Sequence, residues 1–178
     1  MAIRFFDMFS GIGGFRSGLE AVGGFECIGH CEIDRHANQA YNAIYQPKGE
    51  FYCDDARKIN PETMPDFDVL CAGFPCQSFS VAGKRLGFDD MRGTLIFEVA
   101  RIIATKRPAF LFLENVPGLL SHDGGRTLDT IFSTLVEMGY IGRGWKYHHH
   151  PPAPPSLIPR IAWRGSCCRR GGGCGESG

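Results

Sequence analysis

No run in this 178-residue chain approaches the roughly 18–20 consecutive apolar residues that a membrane span requires. The opening MAIRFFDMFSG lacks the charged and then apolar pattern of a secretion signal. Neither a membrane protein nor an exported one is expected, and the default is a cytoplasm with reduced thiols. Net charge is also missing: 19 Lys+Arg balance 19 Asp+Glu. That zero hides a split. Residues 1–140 carry 13 basic and 18 acidic side chains, a balance of −5, whereas residues 141–178 carry 6 basic side chains and only Glu176, a balance of +5. A body at −5 lacks the basic face of a complete nucleic-acid binder. The early glycine turn GIGG is not GxGxxG and nothing resembles GxxxxGK[ST], which disfavours a triphosphate or pyrophosphate ligand.

What is present is a chain of about one domain's length, 43% hydrophobic and 21% charged, able to bury a core. Eight cysteines do not form a disulfide framework, because five of them lie in an apolar body that needs no staples. The other three lie in CCRRGGGC, with no histidine or second CxxC at zinc-ligand spacing, so no metal site is expected.

Short apolar runs alternate with amphipathic stretches. Ile3–Phe9, Glu26–Cys31, Phe51–Cys53, Phe67–Ala72 and Pro108–Glu114 read as strands. Phe15–Val22, Arg35–Tyr45, Thr94–Lys106 and Thr127–Met138 carry apolar residues at helical spacing, such as Leu95, Val99, Ile102 and Ile103. Strands separated by helices of this length predict βαβ units and a parallel sheet, and a run such as FLFL suits a sheet covered on both faces. The expected fold is therefore α/β, an open, mostly parallel, Rossmann-like sheet with ligands at the carboxyl ends of its strands. The pattern stops near Tyr140. Residues 141–178 hold 8 of the 24 glycines and 5 of the 11 prolines, and are expected to lack regular structure. The division is thus a binding and catalytic part, 1–140, and a Gly/Pro/Arg-rich tail, 141–178.

Three constellations carry chemistry. Asp7-Met8-Phe9-Ser10-Gly11-Ile12-Gly13-Gly14 joins the first strand to the first helix, and its glycines allow backbone to approach a ligand. Glu32 follows Gly11 by 21 residues, where an acid commonly accepts hydrogen bonds from a ribose diol. A tight strand-to-helix turn beside a surface Glu is the plainer alternative. Asp55, just beyond the third strand, suits an adenine amino group, with Asp54 its competitor. Second, Gly73-Phe74-Pro75-Cys76-Gln77-Ser78 leaves the buried fourth strand. Cys76, held behind Pro75 at a strand's end, is a candidate nucleophile, whereas Cys71 inside the strand reads as a buried small hydrophobe. Third, Glu114-Asn115-Val116 ends the neighbouring strand, within plausible reach of Cys76 as a proton donor.

In this order the motifs resemble the DNA (cytosine-5)-methyltransferase family, especially bacterial restriction–modification enzymes. FSGIGGF, Glu32, Asp55, PCQ and ENV carry the likeness, with GFDDMRGTL at 87–95, over roughly Ile3–Tyr140. The resemblance implies a class I S-adenosylmethionine-dependent fold, incomplete at its C-terminal side. It implies S-adenosylmethionine as methyl donor, with Phe9 on the adenine, Gly11 and Gly13 along the methionine part, Glu32 on the ribose, Asp55 on the adenine, and Pro75 among the cofactor-binding positions. Cys76 would attack cytosine C6 and Glu114 would hold N3. Ser78, Lys84, Arg85 and Arg92 would lie on a loop closing over a base flipped from double-stranded DNA. A bacterial-type cytoplasm would be the setting. The family's QxRxR motif and target-recognition region are not found, which suggests truncation and a second chain supplying the C-terminal half. The competing reading is an inactive or split product that only binds S-adenosylmethionine or a partner, and a weaker one is RNA cytosine methylation.

Overall fold

The computed structural model describes residues 1–75, 95–143 and 160–165. Seven parallel strands form one sheet: β1 (Ile3–Met8), β2 (Phe25–Cys31), β3 (Phe51–Cys53), β4 (Val69–Gly73), β5 (Phe110–Asn115), β6 (Ile141–Arg143) and β7 (Arg160–Gly165). Their spatial order is β3-β2-β1-β4-β5-β7-β6. Among the described residues, four α-helices connect or flank them: α1 (Gly14–Val22), α2 (Arg35–Tyr45), α3 (Leu95–Lys106) and α4 (Arg126–Glu137). Apart from β6 and β7, these are the predicted elements, shifted by one or two residues at their ends.

Both faces of the sheet are covered, as the continuous apolar strands required. On one face Phe6, Met8, Leu70, Leu111 and Leu113 pack with Ile96, Val99, Ile102 and Ile103 of α3 and with Leu128, Ile131 and Leu135 of α4. On the other, Phe5, Cys27, Val69 and Cys71 meet Phe15 and Leu19 from α1. Successive β1 residues thus serve opposite faces, the period-two geometry of a strand. Cys71 is fully buried, in agreement with its reading as a core residue.

Strand order reverses beside β1: the chain runs outward through β2 and β3, then returns to place β4 on the other flank. A crevice opens outside the carboxyl ends of the strands at such a switch point. The residues leaving β1 and β4 there are Phe9–Gly13 and Phe74–Pro75.

Two findings depart from expectation. Residues 141–143 and 160–165, inside the segment expected to lack regular structure, form β6 and β7. β7 pairs along the whole of β5, from Phe110↔Arg160 to Asn115↔Gly165, so β5 is hydrogen-bonded on both sides. A six-residue strand without a flanking periodic helix gives little local signal, and its pairing partner β5 supplies what the local pattern lacks.

Candidate active site

The turn leaving β1 is held in unusual backbone conformations. Phe9 (φ 56°), Gly11 (φ 54°) and Gly13 (φ 91°) all occupy the left-handed region. For glycine this is cheap, but for a phenylalanine it is strained and persists only where surroundings enforce it. Two backbone bonds do so: Ser10 N–H donates to the Cys31 carbonyl at 3.1 Å, and Gly13 N–H donates to the Ser10 carbonyl at 2.8 Å. Gly13 admits no other residue easily. A Cβ there would sit 2.3 Å from Cε2 of Tyr45, whose hydroxyl donates to the Gly13 carbonyl at 2.7 Å. At Gly11 a Cβ would meet nothing within 4 Å, so this face of the turn is open.

Glu32 closes the turn. Its Oε2 accepts from Gly11 N–H at 2.7 Å and its Oε1 from Asp34 N–H at 2.7 Å. Asp34 in turn caps α2, its Oδ1 accepting from His36 and Ala37 N–H at 2.8 Å each. Sequence spacing singled out Glu32 for a ligand; the structure adds that the same carboxylate ties the β1 turn to the start of α2. Ile33, exposed at 65%, and Ile12, exposed at 61%, are large apolar side chains flanking it. Neither was singled out from the sequence, where an isolated exposed isoleucine gives no signal.

Of the competing acids, Asp55 is the sheltered one, its side chain 13% exposed against 58% for Asp54. Asp55 caps the short helical turn 56–58 and holds Arg57 through a 2.7 Å ion pair, which keeps its carboxyl below the usual range. Asp54 pairs outward with Lys58 at 2.8 Å.

Asp7 is the residue the sequence reading passed over. It is fully buried in β1, and neither carboxylate oxygen has a hydrogen-bond partner among the described residues; buried Ser10 Oγ shares that condition. Burial pushes the Asp7 acid up to about 8, against the opposing pull of Arg16. An acid within the apolar run IRFFDMF was the available signal. Arg16, nearly buried in α1, pairs with Glu50 at 2.8 Å and Glu20 at 2.7 Å and donates to the Tyr41 hydroxyl at 3.2 Å, which fixes α1 behind the turn.

On the other flank, Glu114 is the register partner of Gly73, the last residue of β4. A Cβ at Gly73 would lie 3.4 Å from Glu114 Oε2 and 3.8 Å from Phe15, so the glycine leaves the room that the carboxylate occupies. Buried Asn115 donates through Nδ2 to the Phe74 carbonyl at 2.5 Å and accepts from Val116 N–H at 2.9 Å. This bond fixes the backbone two residues before Cys76. Half-buried Phe9 packs against the larger core cluster, and Pro75 is exposed. Cys76, Ser78, Lys84, Arg85 and Arg92 lie outside the described residues. Among the described residues, no group of three or more His, Cys, Asp or Glu could hold a metal, and no helix is long and apolar enough to cross a membrane.

The doubly wound parallel sheet, with its turn at the switch point, defines an open Rossmann-like α/β fold. It is shared with the crystal structure of S. pombe Dnmt2 methyltransferase, with a TM-score of 0.59 at 20% identity over 76% of this chain and 42% of that one. The family description "C-5 cytosine-specific DNA methylase" matches residues 3–146, and the chain belongs to that family. It is 46% identical over 138 residues to Type II methyltransferase M.HhaI of Haemophilus parahaemolyticus, covering 78% of this chain and 41% of that protein. It is 50% identical over 140 residues to M.HpaII of Haemophilus parainfluenzae, covering 77% of this chain and 38% of that protein. The chain thus spans about two fifths of the length of these relatives.

Proposed function

We propose that residues 1–140 are the cofactor-binding and catalytic part of an enzyme that methylates C5 of cytosine in double-stranded DNA, with S-adenosylmethionine as donor. The observation that carries this reading is the Gly73↔Glu114 pairing. It sets a carboxylate beside the last residue of β4, at the same end of the sheet as the β1 turn. Family membership and the similarity to Type II methyltransferases support the substrate class.

The residues fit the cofactor. The open face at Gly11, the exposed Ile12 beside it, and the buried, unpartnered oxygens of Asp7 and Ser10 beneath the same turn support this fit. Glu32 keeps lone pairs for a ribose diol beyond its two backbone donors. Asp55 would accept from the adenine amino group, Phe9 would pack on the adenine ring, and Gly11, Gly13 and Pro75 would line the rest. When bound, S-adenosylmethionine supplies an electrophilic methyl group.

Cytosine C5 is a poor nucleophile until electrons are pushed toward it. Cys76 Sγ, as thiolate, bonds to C6, and Glu114 donates a hydrogen bond or proton to N3, so that the electron pair collects at C5. After methylation, loss of the C5 proton and expulsion of the sulfur restore the thiol and the aromatic ring. The base must leave the stack to be reached, and Ser78, Lys84, Arg85 and Arg92 belong to the loop that would hold it and its phosphates. The acidic balance of residues 1–140 leaves them without the overall basic face of a DNA reader.

Two measurements test this. Calorimetric titration should detect S-adenosylmethionine binding by the chain. Duplex DNA carrying 5-fluorocytosine should trap a denaturation-resistant adduct once a C-terminal half from a relative is supplied. Loss of that adduct in Cys76→Ser is expected; an adduct that persists would move the nucleophile elsewhere.

A further inference from the structure

Cys31 ends β2 and Cys53 ends β3, and the two are register partners on neighbouring parallel strands. We propose that they form a peroxide-responsive dithiol whose closure to a disulfide loosens the adenosine end of the cofactor site. Register partners on parallel strands project to the same face, and both thiols pack in the same core cluster. Neighbouring strands run about 4.8 Å apart, inside the span of about 4.4–6.8 Å that disulfides bridge between Cα atoms. The other described cysteines lack this arrangement. Cys27 is opposite Phe5, and Cys71 lies between Asp7 and Phe112.

The pair is graded in access. Cys31 is 1% exposed, and burial together with Cys53, Glu32, Asp55 and Asp54 pushes its thiol up. Cys53 is only half-buried, so a hydroperoxide meets it first. Its sulfur takes one oxygen from the peroxide to give sulfenic acid and water. The Cys31 sulfur then displaces the hydroxyl, which leaves with the Cys31 proton as a second water, and the S–S bond forms. Two thiols and one hydrogen peroxide thus become one disulfide and two waters.

Closure reaches the acids of the site directly. In the reduced protein the Cys53 thiol donates to the Asp55 carbonyl at 3.3 Å, and the Cys53 carbonyl accepts from Glu32 N–H at 3.3 Å. A disulfide removes the first bond outright and draws Cys53 toward β2, displacing the second. The thiol chemistry stands on its own; the effect on the cofactor rests on the function proposed above.

The test treats the full chain with hydrogen peroxide, blocks the remaining thiols by alkylation, and maps disulfides by mass spectrometry of an unreduced digest. The linked peptides should contain Cys31 and Cys53, while Cys27 and Cys71 stay alkylatable after unfolding. S-Adenosylmethionine affinity should fall by about tenfold, the scale of one lost polar contact, and return with dithiothreitol. Cys53→Ser, which keeps a hydroxyl donor for Asp55, should bind like the parent and lose the peroxide response. The proposal is overturned if Cys31 and Cys53 remain separately alkylatable, if Cys53 overoxidises without pairing, or if the disulfide forms and affinity is unchanged. Reduced protein that binds no cofactor yet forms the disulfide would instead overturn the proposed function and the coupling, leaving the dithiol itself established.

Discussion

On one flank of β1, Glu32 is held by two backbone N–H donors, Gly11 and Asp34, at 2.7 Å each, and Asp55 by the Arg57 N–H at 3.0 Å and the Arg57 guanidinium. On the other, Glu114 makes no hydrogen bond to another described residue and lies over a glycine that leaves it room. The first flank is built before a ligand arrives, so binding loses little to ordering. In the second, the rigid element is the backbone, through Asn115 on Phe74. A site that binds one molecule for chemistry on another needs this division: a fixed cradle and an uncommitted acid.

The sharpest way to break that comparison is Glu114→Gln. A neutral amide still hydrogen-bonds but cannot deliver a proton, so methyl transfer by the completed enzyme should fall by about a hundredfold to ten-thousandfold. Calorimetric affinity for S-adenosylmethionine should be unchanged; a parallel loss of affinity would merge the two flanks into one site. Glu32→Ala should do the reverse. Two backbone N–H groups lose their acceptor, costing about 1–3 kcal/mol in chemical denaturation, and cofactor affinity should drop at least about tenfold. If stability falls and affinity does not, the carboxylate serves the fold alone.

These two flanks were unequally legible in the sequence. Glu114 and Pro75 could be assigned to strand ends because FDVLCAG and PAFLFLEN are apolar runs bounded by polar residues, a local signal. The roles of Glu32 in tying Gly11 to Asp34, and of Asn115 in holding Phe74, are contacts across 21 and 41 residues that no local pattern encodes. Spacing could nominate Glu32 but could not choose between ligand and scaffold, and the structure gives it scaffold contacts. Asp54 and Asp55 are adjacent and chemically identical in sequence. Only the turn after β3 separates them, sending one inward against Arg57 and the other outward to Lys58.

A smaller effect is expected at the hinge of the cradle. Gly13→Ala adds a Cβ at φ 91°, 2.3 Å from the Tyr45 ring, and should destabilise by about 1–3 kcal/mol. Measuring the same change in a Tyr45→Ala background separates the causes. A cost that shrinks there assigns it to the clash; one that does not assigns it to the left-handed backbone.

A change of opposite sign falls between the flanks, at Asp7. Its folded-state acid is raised to about 8 by burial, from an ordinary value of 3.8. Between those two values the folded protein holds a proton that the unfolded chain has released, so stability falls as pH rises through this window and levels off above it. Below the window both states are protonated and the group contributes nothing. Asp7→Asn, nearly isosteric and always neutral, should therefore match the parent's melting temperature near pH 4 and exceed it by several degrees above pH 8. A gain that does not grow with pH would mean that Arg16 outweighs burial and that the carboxyl is ionised in the folded protein. The cradle would then carry a fixed negative charge beneath Gly11 instead of a neutral hydrogen-bonding acid, and affinity for a cationic donor would fall in Asp7→Asn at every pH.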